Sequence, residues 1–158
     1  MTPAMFRFNF AAWNDNMLVG YTPMDEVHKV FFDQICAVLN ADDAEVLAAM
    51  IVLQAHTRMH FEMEERWMAE TGFPARGCHA DEHAAVLASV TGVCEQVACG
   101  ETGAVRSLAE ALLEWFPAHA DHMDSALAHW MCKLRHGGAP LVLRRGVAGH
   151  VAAAGTIH

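Results

Sequence analysis

The chemistry-bearing residues of this chain cluster around His60-Phe61-Glu62-Met63-Glu64-Glu65. On a helix, residues four apart lie on one face about 6 Å along the axis, so His60 and Glu64 can present an imidazole and a carboxylate to one point. That pairing could form one edge of a metal site. His79 and His83 repeat the spacing, and single candidates stand at His28 upstream and at His119 and Asp124 downstream. With eleven histidines in the chain, chance alone gives about one such pair. The set is less easily reached by chance: histidines near the core-facing stripes of four predicted helices, with a carboxylate beside one on two of them. A buried charge needs a partner, and a metal ion supplies one for several ligands at once.

His119 and Asp124 fit less simply. Five residues of ideal helix turn the chain through about 140°, so periodicity alone would sooner pair His119 with His122 or Met123. A local π-type widening, or distortion by Pro117, would bring the two back onto one site. Spacing leaves the choice open.

The elements that must position these groups read as helices. Thr22 as cap, Pro23 in the first turn and Asp25 three residues on mark the first start. Val27, Val30, Phe31, Ile35, Val38 and Leu39 follow as its apolar stripe, with His28 beside it, and residues 40–43 form a turn. A second helix is predicted from Asp42 or Asp43 to about Glu70, carrying Val46, Leu47, Met50, Leu53, Met63 and Trp67 on its apolar side. Residues 71–77 read as a loop, a third helix runs from about Cys78 to Ala98, and Gly100 and Gly103 make the next turn. The fourth runs from about Ala104 to Arg135, interrupted by Pro117. Four long helices joined by short turns predict an all-α, up-down-up-down four-helix bundle over residues 22–136. Residues 1–21 form an N-terminal arm whose Phe6, Phe8, Phe10 and Trp13 would pack onto the core, and residues 137–158 a C-terminal extension without assigned chemistry.

Composition narrows the function. The 158 residues are one domain's worth, 54% hydrophobic, with a formal charge of −9 that argues against a nucleic-acid partner. Residues 1–134 hold all nineteen acids against seven Lys and Arg, giving −12, whereas Arg135, Arg144 and Arg145 stand in an acid-free tail at +3. Cys36, Cys78, Cys94, Cys99 and Cys132 form no CxxC pair, so neither a disulfide framework nor a cysteine zinc site is suggested. No apolar run reaches the roughly 20 residues a membrane span needs. The expectation is a soluble, cytoplasmic protein with no membrane association.

The joint pattern resembles the hemerythrin family, in particular its bacterial single-domain members. Asp25-Glu26-Val27-His28-Lys29 resembles the family's first histidine segment, and His60-Phe61-Glu62-Met63-Glu64-Glu65 its His-Phe-x-x-Glu-Glu signature. His79-Ala80-Asp81-Glu82-His83 is similar to its His-x-x-x-His. Trp115-Phe116-Pro117-Ala118-His119, followed by Asp124, is similar to its Trp-Leu-x-x-His-x-x-x-x-Asp. The resemblance spans residues 13–134 and implies a non-haem centre of two iron ions joined by an oxo or hydroxo bridge. His79, His83 and His119 would hold one iron, His28 and His60 the other, and Glu64 and Asp124 would bridge them. Imidazole and carboxylate suit iron, and seven such ligands leave one ion an open position where dioxygen would bind. Trp115, Phe116 and Ala120 would line the oxygen pocket. There Phe116 replaces the family's usual leucine and Ala120 a larger aliphatic, while Val27 replaces a polar residue before the first ligand.

The function so implied is reversible oxygen binding for storage or delivery, with dioxygen as the partner and no catalytic residues. The alternatives are an oxygen, redox or nitric oxide sensor module, supported by the basic tail, and a di-iron redox enzyme of peroxidase or oxidase type. Ferritin-like oxidases use two Glu-x-x-His motifs, and this sequence has none. The remaining histidines, His56, His122, His129, His136, His150 and His158, read as solvated or internally satisfied, with His56, one turn before His60, the closest to an exception.

Overall fold

The computed structural model describes residues 13–136. Phe6, Phe8 and Phe10 of the arm and all of the C-terminal extension lie outside the described residues. A 3-10 turn, Asp15–Met17, is followed by helices α1 (Thr22–Asn40), α2 (Val46–Thr71), α3 (Arg76–Ala98), α4 (Val105–His119), a π-helical segment (Ala120–Asp124) and α5 (Ser125–His136). The last three are continuous and serve as the bundle's fourth rod. Among the described residues there is no β-strand. α1 packs on α2 and α4, and α3 on the same two helices, closing the expected antiparallel ring.

The helix starts differ from expectation in instructive ways. Thr22 does not cap α1: Tyr21 occupies that position without a side-chain bond, and the capping groups run backward from Asp25. The Asp25 carboxylate accepts from Val19 N–H at 2.8 Å and Gly20 N–H at 3.1 Å, tying the incoming chain to the first helical turn. Gly20 adopts φ 87° to make that approach, a left-handed conformation glycine enters without a Cβ clash. α2 begins at Val46, a little later than expected, because Asp42 accepts from Ala44 N–H and Glu45 N–H, holding a turn ahead of the helix. It ends at Gly72, φ 66°, where Gly72 N–H and Phe73 N–H both bond Met68 C=O. α3 starts two residues before the expected Cys78, inside the segment read as loop. Pro117 does not interrupt α4, which continues helically across it.

The core also sits at a different angle on α1. Val27 is only half-buried and Val30 exposed, while Met24, His28, Phe31, Phe32, Ile35 and Val38 face inward. The buried stripe follows 24, 28, 31, 35 and 38, with His28 at its centre. On α2, Leu47 is likewise exposed, and Phe61 and Met68 join Met50 and Leu53 in the interior. A hydrogen bond from Gln54 to Thr91 ties α2 to α3, and one from Trp130 to Thr71 ties α5 to the end of α2. Trp13 packs its ring on Phe32 and Phe116 at 6.1 and 6.5 Å, as the arm's aromatics were expected to do.

Candidate metal centre

All seven predicted residues meet in the bundle interior, each at most 3% exposed. α1 supplies His28, α2 His60 and Glu64, α3 His79 and His83, and the fourth rod His119 and Asp124. One turn of helix aligns His60 with Glu64 and His79 with His83, as the i,i+4 spacing requires. His119 and Asp124 are aligned by the π segment between them, which fits five residues into a single widened turn. Ser125 secures that turn: both its backbone N–H and its hydroxyl, at 3.0 Å, donate to Ala120 C=O.

The donor atoms form two groups that share Glu64. Glu64, His79, His83, His119 and Asp124 each place one ligand atom within a common 4.8 Å, and His28, His60 and Glu64 do the same. Glu64 Oε1 lies 2.8 Å from His60 Nε2 and 3.2 Å from His28 Nε2, while its Oε2 lies 3.2 and 3.3 Å from His79 and His83 Nε2. Asp124 spans the same gap, with Oδ2 3.1 Å from His28 Nε2 and Oδ1 2.9 and 3.1 Å from His79 and His119 Nε2. Each carboxylate thus turns one oxygen toward each group.

Among these contacts only Glu64 Oε1 makes hydrogen bonds, with His60 and His28 Nε2. Glu64 Oε2, both Asp124 oxygens and His79 Nε2 are buried without a hydrogen-bond partner despite neighbours about 3 Å away. His83 Nε2 and His119 Nε2 stand 3.2 Å apart, two imidazole nitrogens aimed at one space. Adjacent donors around a six-coordinate first-row ion, with bonds of about 2.1 Å, lie about 3 Å apart. Orphaned buried donors at that mutual separation are what a bound cation would satisfy, so the residues fit the di-iron group that the sequence pattern implies.

Electrostatics agree. Burial would lower the His28 and His79 pKa values, but the Asp124 and Glu64 carboxylates outweigh it and push them up to about 10 and about 9. Burial would raise Glu64, yet His60, His28 and His79 hold it well below the usual carboxylate range, and His119, His28 and His79 do the same for Asp124. His60 moves the other way, burial pushing it down against only partial compensation from Glu64.

Around the donors stands an aromatic wall. Phe61 lies flat on the His83 ring, 3.9 Å away and 2° from parallel, and Trp115 stacks on His119 at 4.3 Å. Phe31 and Phe116 turn edges or faces to His60 and His28 at 5.3 and 5.0 Å. The three residues read as an oxygen pocket occupy different neighbourhoods. Phe116 is buried against His28, Trp115 stands beside His119, and Ala120 is buried near Val19 in the wall of a small cleft that Asn16 and Pro117 also line. His56 is satisfied, its Nε2 bonding Val27 C=O at 3.2 Å, and His122 and His129 are exposed.

Two residues escape the sequence reading. Glu82, between His79 and His83, bonds Trp115 Nε1 at 2.9 Å and His119 Nδ1 at 3.3 Å. Its pKa is held down by those two bonds and the nearby imidazoles, against the opposing effect of partial burial. Glu65 places Oε1 3.5 Å from His83 Nδ1. A carboxylate adjacent in sequence to a ligand was the only available signal for either.

Four antiparallel helices that converge histidines and two shared carboxylates on their axis define a class of bundle-core metal proteins. The family model for the Hemerythrin HHE cation binding domain matches residues 19–131. A curated bacteriohemerythrin of Ralstonia nicotianae is 34% identical over 121 residues, covering 77% of this chain and 88% of the relative. Two crystallised hemerythrin variants, one leucine-to-alanine and one leucine-to-tyrosine, superpose with TM-scores of 0.68 at 19% identity. Each alignment covers 75% of this chain and 98% of the other. The chain belongs to the hemerythrin family.

Proposed function

We propose that this chain is a non-haem di-iron protein that binds dioxygen reversibly, for storage or delivery. The observation that carries the reading is the shared use of Glu64 and Asp124, each offering one oxygen to a three-histidine group and the other to a two-histidine group. In this reading His79, His83 and His119 would hold one iron and His28 and His60 the other, with Glu64 and Asp124 shared between them. When bound, the pair would supply the electrons that dioxygen takes up on binding and gives back on release. The residues of the chain do the rest. Their Nε2 atoms point inward, which leaves ring protons on Nδ1, and Phe31, Phe61 and Phe116 exclude water from the space beside the donors.

Residues 22–136 would form the functional bundle, with the arm before it and the extension after it. A hemerythrin bundle favours an oxygen carrier over an enzyme. No helix among the described residues is long and apolar enough to cross a membrane. Five free thiols accord with a reducing, cytoplasmic setting.

The test is an anaerobic-to-aerobic optical titration of the purified chain with iron counted per chain. Two irons and a visible charge-transfer band that appears with oxygen and disappears on its removal are expected. Immediate, irreversible oxidation would replace this reading with a redox sensor or enzyme.

A further inference from the structure

The two groups of donors differ behind their outer nitrogens. On the three-histidine side, Glu82 Oε2 lies 3.3 Å from His119 Nδ1, and Glu65 Oε1 3.5 Å from His83 Nδ1. Among the described residues His119 alone of the five histidines has its outer nitrogen hydrogen-bonded: His28, His60, His79 and His83 Nδ1 are buried without a partner, the 3.5 Å approach of Glu65 to His83 making no hydrogen bond. Around His28 and His60 the rings of Phe31, Phe116 and Phe61 close instead.

Glu82 also meets a donor other than the histidine. Trp115 Nε1–H donates to its Oε1 at 2.9 Å, while Trp115 stacks its ring on His119. With Nε2 of His119 turned to the metal space, Nδ1 carries the proton, so two N–H donors from one helical turn of α4 converge on one side chain of α3. A carboxylate accepts both at once. In a glutamine an NH2 group replaces one of the two oxygens and would face one of those N–H groups donor to donor.

We propose that Glu82 is a positioning residue that locks His119 and Trp115 into one orientation and makes the His79/His83/His119 position the more tightly held of the two metal positions. The inference rests on the di-iron reading above. A negative carboxylate on the far nitrogen fixes an imidazole's tautomer and rotation and raises its basicity, and losing such a partner weakens metal binding about 10- to 100-fold. Glu65, 3.5 Å from His83 Nδ1 and half-exposed, makes no such bond. Neither His28 nor His60 has such support, so the metal they hold is the first to leave. Glu82 also borders a cleft of about 300 Å³ between α3 and α4, lined by Val86, Leu108, Leu112 and Trp115, so substitution there disturbs no tightly packed interior.

The test is an anaerobic cobalt(II) titration of the full chain, read by its visible d–d bands and by cobalt counted per chain. The unmodified chain is expected to take two ions in a tight and a weaker step. Glu82→Gln should weaken the tight step at least tenfold, shift its bands and leave the weaker step within twofold. Glu82→Asp, which keeps the charge but shortens its reach, should fall between. Asp81→Asn, which removes an exposed charge one residue away, should change neither step. Far-UV circular dichroism of the metal-free variants checks that they fold. An unchanged tight step in both Glu82 variants, or equal weakening of both steps, would overturn the inference. A parent chain that takes fewer than two ions would overturn the two-metal reading on which it stands.

Discussion

Asp124 Oδ1 lies 3.1 Å from His119 Nε2 although five residues separate them, because Ala120–Asp124 is wound as a π-helix. A five-residue π turn rotates the chain about as far as four residues of α-helix, so the segment behaves as an α-helix with one residue inserted. Deleting exposed Asp121 should let the turn relax to α-helical winding and retain two metals per chain. Inserting an alanine after Asp121 should swing Asp124 by about 100° and reduce metal binding to one ion or none. Metal analysis of the two variants decides between a permissive insertion and one the site requires.

Phe116 holds the place where the family's pattern has leucine, and its ring meets His28, Phe31 and Trp13. Because it is 1% exposed, Phe116→Ala should cost about 3–5 kcal/mol, and Phe116→Leu about 1–2 kcal/mol, measured by denaturant unfolding. Opening that space should also speed azide binding to the iron-loaded chain severalfold in stopped-flow traces. An unchanged rate would place the small-ligand path elsewhere.

The metal-free chain should have an unusual stability profile with pH. His28 and His79 have pKa values of about 10 and about 9, against an ordinary 6.5, so their contribution is full below pH 6.5 and is lost as pH rises through 9 and 10. Glu64 and Asp124 are depressed, so theirs is present above the ordinary carboxylate range and is lost as pH falls below it. His60, held neutral by burial, adds to the loss below pH 6.5. Thermal melts should therefore fall off on both sides of neutrality for the metal-free chain. With metal bound the histidines are already deprotonated, and the alkaline decline should vanish. Parallel alkaline declines in both forms would contradict the assignment.

Asp25 ties the chain entering α1 to its first turn, accepting the backbone N–H groups of Val19 and Gly20. Asp25→Ala should cost about 1–2 kcal/mol, whereas Thr22→Ala should be nearly silent. Equal losses would restore Thr22 as the cap.

Much of this was legible in the sequence because helical periodicity acts over long stretches. His60 with Glu64 and His79 with His83 follow from one turn of helix, and the four rods follow from the turns at residues 40–43, 71–77 and 99–104. The rest depends on tertiary context. Val27 and Val30 suit the apolar face of α1, but the inward angle is set by His28 and its buried partners, which rotates the stripe. Periodicity could not choose the π turn over a kink at Pro117, since both restore the alignment of His119 and Asp124. Glu82 left only the signal of a carboxylate beside a ligand, because its partners, Trp115 and His119, lie more than thirty positions away.

The centre also changes the topology of the chain. Its donors come from four separate helices, the first at His28 and the last at Asp124, so a bound metal pair closes nearly the whole described chain into a set of nested loops. In the unfolded state such cross-links would remove entropy on the scale of a long-loop disulfide, about 4.7 kcal/mol for loops approaching a hundred residues. The five cysteines form no disulfide. In the proposed di-metal form the cross-link would be coordinate rather than covalent, and a chelator would remove it.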